Sequence, residues 1–320
     1  MKDRLTDLGF AAGWAAVKAL PEGAARRLFD LAADRAVRRR GPGVRRLEAN
    51  LRRVVGGQPS AELMRHAMRS YARYWMETFR LPVTDRAALA AETEARMEGI
   101  DILDRAYAEG RGVVAVLPHS ANWDVAAVWL IAHGIPFTTV VERLRPESLY
   151  RRFVAYRESI GMEVLPLTGG QRPVSDVLAE RLHAGGMICL VGDRDLTRGG
   201  VEVTFFGEPA KMPAGPALLA ATTGAALMPV GLWYEDGGCA VRLHEIVPVP
   251  ADGRLRDRVR VATQAVADIF AADIAEHPAD WHMLQRLWLA DLDPARAPGG
   301  DDPATHRVPV REPSGDLGGG

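Results

Sequence analysis

The chain has 320 residues, of which 48% are hydrophobic, so it can bury a large core in one domain or two. Its 40 basic and 41 acidic side chains leave a formal net charge of -1, with a pI near 6.7, which excludes a global electrostatic pull toward nucleic acid. Its only cysteines, Cys189 and Cys239, lie in apolar, strand-like runs, so a disulfide framework is not expected and a reducing cytosolic setting fits.

The opening "MKDRLTDLGFAAGWAAVKAL" places Leu5, Leu8, Ala12, Ala15 and Ala19 at helical spacing, and Pro21 ends that helix. No secretory cleavage site is visible. The apolar stretch is also shorter than the roughly 20 residues needed to span a bilayer, so a soluble or peripheral protein is expected. "EGAARRLFDLAADRAVRRR" follows as a second helix, and "GPG" breaks the chain after it. Arg26, Arg27, Arg35, Arg38, Arg39 and Arg40, continued by Arg45 and Arg46, suit an anionic membrane surface. A solvated helical face is the competing reading. "AELMRHAMRSYARYWMETFRL" is an amphipathic helix with aromatics at core spacing.

From about residue 100 short apolar runs alternate with helical stretches. "GVVAVL", "FTTVV", "MEVLPL", "MICLV", "VEVTFF", "ALMPVGLWY" and "CAVRLHEIV" read as strands. Repeated strand and helix with glycine stops means an α/β fold, with a central, mostly parallel sheet flanked by helices. "FFGEP" and "KMPAGPALL" read as a strand, a turn and a helix start, and a last helix is expected from about Arg256 to Glu276. The tail from Pro294 is rich in Pro, Gly and charge and is expected to be disordered.

The chain lacks G-x-S-x-G, G-x-G-x-x-G, a P-loop, C-x-x-C and H-E-x-x-H. Nucleophile-elbow hydrolysis, nucleotide binding and a zinc site therefore have no local support. What remains lies at strand ends, where parallel sheets build their sites. "VVAVL" ends in Pro118-His119, "FTTVV" in Glu142-Arg143, and "MICLV" in Gly192-Asp193-Arg194-Asp195. A histidine base needs an acid on one ring nitrogen and an open second nitrogen, and this arrangement can supply both. Five residues of helix turn through about 500°, so His119 and Asp124 of "HSANWD" do not share a helical face. His119 belongs in the turn and Asp124 in the first helical turn, where its charge suits the helix dipole. Asp124 as a helix-start residue alone, and His119 as a satisfied strand-end histidine, are the competing readings.

"HSANWD" has the His-x-x-x-x-Asp pattern of bacterial glycerolipid acyltransferases. "TTVVERLRPESLYRRFVAYRESIGMEVLPL", "CLVGDRDLTRGGVEVTFFGEPAKMPAGPALLA" and "HPADWHMLQRLWLADL" closely resemble the phosphatidylinositol mannoside acyltransferases of actinobacteria, relatives of the lauroyl-type lipid A acyltransferases. The resemblance covers about residues 7 to 293. It implies one acyltransferase domain over 1–293, glycerolipid-acyltransferase-like, with residues 1–56 as N-terminal membrane-docking helices and a tail over 294–320.

The resemblance also implies the roles. His119 takes the proton from an acceptor hydroxyl, Asp124 shapes the site, and Asp193 partners the histidine. Asp193 stands where the mannoside enzymes carry Glu, so either the backbone lies closer here or the pairing is looser. Asn122, Glu142, Arg143, Arg157, Arg194 and Asp195 are the candidate substrate-binding positions. Oxyanion donors would be backbone N–H groups near Asn122, or Arg157. Arg194 and Arg198 suit the phosphates of CoA or inositol, with solvated arginines as the competing reading. Phe205 and Phe206 would line an acyl groove or pack in the core, and His282 would be structural, in a segment that closes the sheet. No metal or cofactor is implied. Acyl-CoA is the co-substrate, a phosphatidylinositol mannoside the acceptor, and the cytoplasmic face of the membrane the location. The rivals are an acyltransferase for another glycolipid or lysophospholipid, an acyl-CoA thioesterase, and a silent lipid-binding protein.

Overall fold

The computed structural model describes residues 13–142, 147–170, 172–195, 197 and 199–292. Arg143, Arg198 and the tail from 294 lie outside the described residues. Residues 13–19 are helical. Three helices follow: α1 (Glu22–Arg39), α2 (Pro42–Val54, with proline at its first position) and α3 (Ala61–Arg80). The Ser60 hydroxyl accepts from Leu63 N–H and fixes the start of α3. Ala33, Val44, Leu47, Leu51, Met64 and Met68 form a small core between these helices.

Two short helices, α4 (Arg86–Glu94) and α5 (Ile100–Ala108), flank strand β1 (Met97–Glu98). The alternating part then runs β2 (Val113–Leu117), α6 (Trp123–Ala132), β3 (Phe137–Val141), α7 (Glu147–Ile160), β4 (Glu163–Pro166), α8 (Val174–His183) and β5 (Met187–Val191). Strands β6 (Val201–Phe205) and β7 (Glu208–Met212) form a separate antiparallel hairpin. Helix α9 (Gly215–Thr223), β8 (Ala226–Glu235), β9 (Gly238–Leu243) and α10 (Leu255–Glu276) complete the order.

The main sheet has seven strands in the order β1-β9-β8-β2-β5-β3-β4. Strands β8, β2, β5, β3 and β4 are mutually parallel, and β9 reverses against β8. Every residue of β2 is buried, as expected of a central strand covered on both faces. Val113, Ala115 and Leu117 pack on one side with Val125 and Trp129 of α6 and Tyr156 of α7. Val114 and Val116 pack on the other with Leu182, Phe270 and the hairpin residue Phe205. Phe205 is therefore core. The hairpin corrects the reading of 208–212: the lysine and methionine of "KMP" end a strand, and the helix begins after them.

Gly192 follows β5 where the backbone crosses Val116 of β2. A Cβ on Gly192 would be driven into the Val116 Cγ2 methyl. Gly192→Ala is expected to destabilise the fold by about 1–3 kcal/mol through overpacking. Adding Val116→Ala should recover part of that loss, a non-additivity readable in denaturant melts of the two single variants and the double. Strict additivity would mean that the two positions do not compete for space.

Candidate active site

Leu117 of β2 pairs with Val191 of β5, so the residues that follow the two strands emerge side by side at one sheet edge. Gly192 N–H donates to Leu117 O at 2.8 Å and holds the two strand ends together. Asp193 is thereby brought under His119. It is fully buried, and its carboxylate accepts three hydrogen bonds. Oδ1 takes His119 Nδ1–H at 2.5 Å, while Oδ2 takes the His119 backbone N–H at 3.0 Å and the Trp281 indole N–H at 2.9 Å. The aspartate is short, but it reaches because the His119 main chain lies against it.

Burial opposes charge on Asp193, yet His119 and the converging donors outweigh that and hold its pKa below the ordinary carboxylate value. Burial of the inner ring edge pulls His119 down, and Arg194 adds to that pull. The attraction and hydrogen bond of Asp193 more than offset both, so the His119 pKa lies above its ordinary value. The His119 side chain is 49% exposed. With Nδ1 donating to Asp193, the neutral ring carries its lone pair on Nε2, and among the described residues no group bonds that nitrogen.

Asp124 has a different partner. It sits in the first turn of α6, fully buried, and accepts from Arg157 Nε at 3.0 Å and Arg157 Nη2 at 3.4 Å. The Arg157 guanidinium is itself buried and lies 4.2 Å over the Trp123 ring. This ion pair fastens α6 to α7. Asn122 caps α6 through its Oδ1, which accepts Asp124 N–H at 3.1 Å, and its Nδ2 donates to Glu77 Oε2 at 2.9 Å. Glu77 also accepts from Tyr234 O–H and from Arg73. The side chains of Asn122 and Arg157 are thus both held by protein partners.

The other candidates are dispersed. Glu142 is exposed just beyond β3 and makes no hydrogen bond to the His119–Asp193 pair. Arg143 lies outside the described residues. Arg194 is half-buried beside the pair, and its Nε donates to Arg286 O at 2.8 Å. Asp195 holds its own turn: Oδ1 accepts Thr197 N–H at 2.8 Å, and its N–H donates to Lys211 O at 2.9 Å.

The segment after α10 contributes more than sequence reasoning assigned to it. His282 N–H donates to His119 O at 2.7 Å, and Ala121 N–H donates to Asp280 O at 2.9 Å. Ala121 needs that support, because it is buried in the left-handed region with φ 43°. Asp280 in turn accepts from Ser70 O–H at 2.6 Å and Tyr234 N–H at 2.9 Å. The His282 ring contacts Ser70 Oγ at 2.8 Å, and burial pushes its pKa down to about 3, so it stays neutral. The sequence did carry a signal for this strap. "HPADWHMLQRLW" is apolar yet shows no helical or strand period, and such a buried segment must find partners for its backbone.

Comparison with known proteins agrees over almost the whole chain. Residues 4–290 match the family model described as bacterial lipid A biosynthesis acyltransferase. A phosphatidylinositol mannoside acyltransferase of Mycolicibacterium smegmatis is 53% identical over 296 residues, covering 92% of this chain and 94% of the relative. One from Mycobacterium tuberculosis is 52% identical over 294 residues, covering 91% of each chain. The chain belongs to the bacterial lipid A biosynthesis acyltransferase family.

Proposed function

We propose that this acyltransferase moves a palmitoyl-like chain from acyl-CoA to the 6-hydroxyl of a mannose on a phosphatidylinositol mannoside, with His119 as general base. The observation that carries this reading is the His119–Asp193 pair, with Nδ1 bonded to a buried carboxylate and, among the described residues, no partner on Nε2 of a half-exposed ring. The acceptor comes from the names of the relatives. In the reaction, Nε2 takes the hydroxyl proton as the sugar oxygen attacks the thioester carbonyl. The tetrahedral oxyanion collapses, the C–S bond breaks, and the proton passes from Nε2 to the CoA thiolate. Arg157 is engaged by Asp124, so the oxyanion donors are assigned to the Asn122 and Trp123 backbone N–H groups at the start of α6. Among the described residues these have no hydrogen-bond partner. Arg194, beside the pair and with its Nε engaged by Arg286 O, would be the residue to meet a phosphate of CoA or the acceptor.

The enzyme would act at the cytoplasmic membrane face. Among the described residues no helix is long and apolar enough to cross a bilayer. On α1, Leu28 and Leu31 are 52% and 64% exposed, and Arg35 and Arg38 continue the same stripe, away from the buried Ala25 and Ala33. An apolar pair followed by arginines fits an anionic lipid surface.

CoA release from palmitoyl-CoA should require phosphatidylinositol mannoside and fall by about 10²–10⁴-fold in His119→Ala. Release without acceptor would instead indicate a thioesterase. Asp124→Ala should lose activity by a different route, because it leaves Arg157 buried and unpaired. A drop of about 3–5 kcal/mol in unfolding free energy is expected for it, while His119→Ala, which takes the ring N–H from Asp193 but leaves it the backbone N–H and the Trp281 indole, should cost less, about 1–3 kcal/mol. Equal melting of the two variants would refute the division of roles. Leu28→Ser with Leu31→Ser should weaken sedimentation with anionic vesicles without altering turnover of detergent-dispersed substrate, and undiminished sedimentation would place the docking surface elsewhere.

A further inference from the structure

Trp281 is fully buried, and its one polar atom is given to Asp193 Oδ2. Packing alone does not require an indole there. Its ring meets Phe205 and Trp288 at centroid distances of 6.0 and 6.1 Å, surroundings that an apolar ring would satisfy. The hydrogen bond is what singles the residue out. Asp193 has three donors, and two of them belong to His119 itself, so they move with the base they are meant to orient. The third comes from the strap, 88 residues further along the chain. It anchors Oδ2 from outside and leaves Oδ1 facing Nδ1.

We infer that Trp281 is a positioning residue of the acyl-transfer site: its indole N–H orients the Asp193 carboxylate against His119 and limits how strongly that carboxylate retains a proton on the imidazole. The inference rests on the reading of His119 as the base. Among the described residues, the other charged or titratable groups facing the pair are Arg194, from the loop after β5, and His282, from the strap. Arg194 disfavours the imidazolium, and His282 is neutral. Trp281 adds a dipole and no charge. A carboxylate that shares its charge with one donor fewer attracts the imidazolium proton more strongly. Loss of the indole N–H therefore raises the pH at which His119 becomes neutral. Because the base acts neutral, the acidic limb of kcat/KM moves up with it.

The test is Trp281→Phe, which keeps a buried ring and removes the donor. His119 titration, read by NMR on 15N-histidine protein, should shift to higher pH, and the acidic limb should follow. The kcat should fall about tenfold or more, the factor of a hydrogen bond to a charged group, with little change in KM for palmitoyl-CoA. An unmoved titration and unmoved limb would overturn the inference, even if the variant melted lower. The titration needs no turnover. A wild type that releases no CoA while the titration still shifts would remove the proposed function and leave the Trp281 coupling standing. If Trp281→Phe does not fold, 15N-indole spectra of the wild type decide. Of the seven tryptophans, one indole N–H should move with the His119 midpoint and lose that step in His119→Gln. If none does, the inference fails.

Discussion

A carboxylate with no access to water must be surrounded by donors, and Asp193 imposes that condition on the structure around it. Its donors come from places far apart in sequence: the main chain and ring of His119, and the indole of Trp281. To assemble them, β2 and β5 must be parallel neighbours in register, and the chain after α10 must return across the sheet edge. The strap is tied along its length. Asn50 of α2 donates to Met283 O and Gln285 O, Arg194 donates to Arg286 O, and the Trp288 indole donates to Phe205 O. The N-terminal helices, the hairpin and the sheet thus all bear on the position of one acid.

The same rule recurs around the "HSANWD" loop. Glu77 accepts from Asn122, Tyr234 and Arg73, and Asp280 accepts from Ser70 and the Tyr234 backbone. Both acids are answered from elements other than their own, except for the Arg73–Glu77 contact within α3. Such networks contribute little net stability compared with apolar packing, but they penalise every arrangement in which a donor is missing. The loop that carries Ala121 at positive φ is therefore held in one conformation by polar contacts, while the apolar faces of the sheet supply the bulk of the burial.

The strands and the His119–Asp193 edge were legible because each is a local pattern: an apolar run that stops at a polar residue. The five parallel strands make those stops neighbours, which turned sequence order into proximity. The Asp124–Arg157 pair was not legible from spacing, since 33 residues separate the partners and either could equally have faced solvent. Arg157 accordingly read as a residue lining the substrate region. Strand β7 was missed because Pro209 and the charged Glu208 and Lys211 interrupt the short apolar pattern of a hairpin strand that pairs in register with β6. Helices α4 and α5 fall before the alternating pattern begins and carried no motif that marked them.

The two acids of the candidate site also separate two kinds of charge. Asp124 is paired with arginine, whose proton does not leave in a protein. That pair cannot exchange a proton with a substrate, and the contact it makes ties α6 to α7. Asp193 is paired with histidine, which can gain and lose a proton near neutral pH. Were the partners reversed, the site would hold a permanently charged cation at the sheet edge and a titrating pair inside the helix packing. The exposed edge would then have no base, and the core would have a charge that vanished with rising pH. The observed choice puts the exchangeable proton on a ring that is half exposed and the permanent charge where both partners are buried.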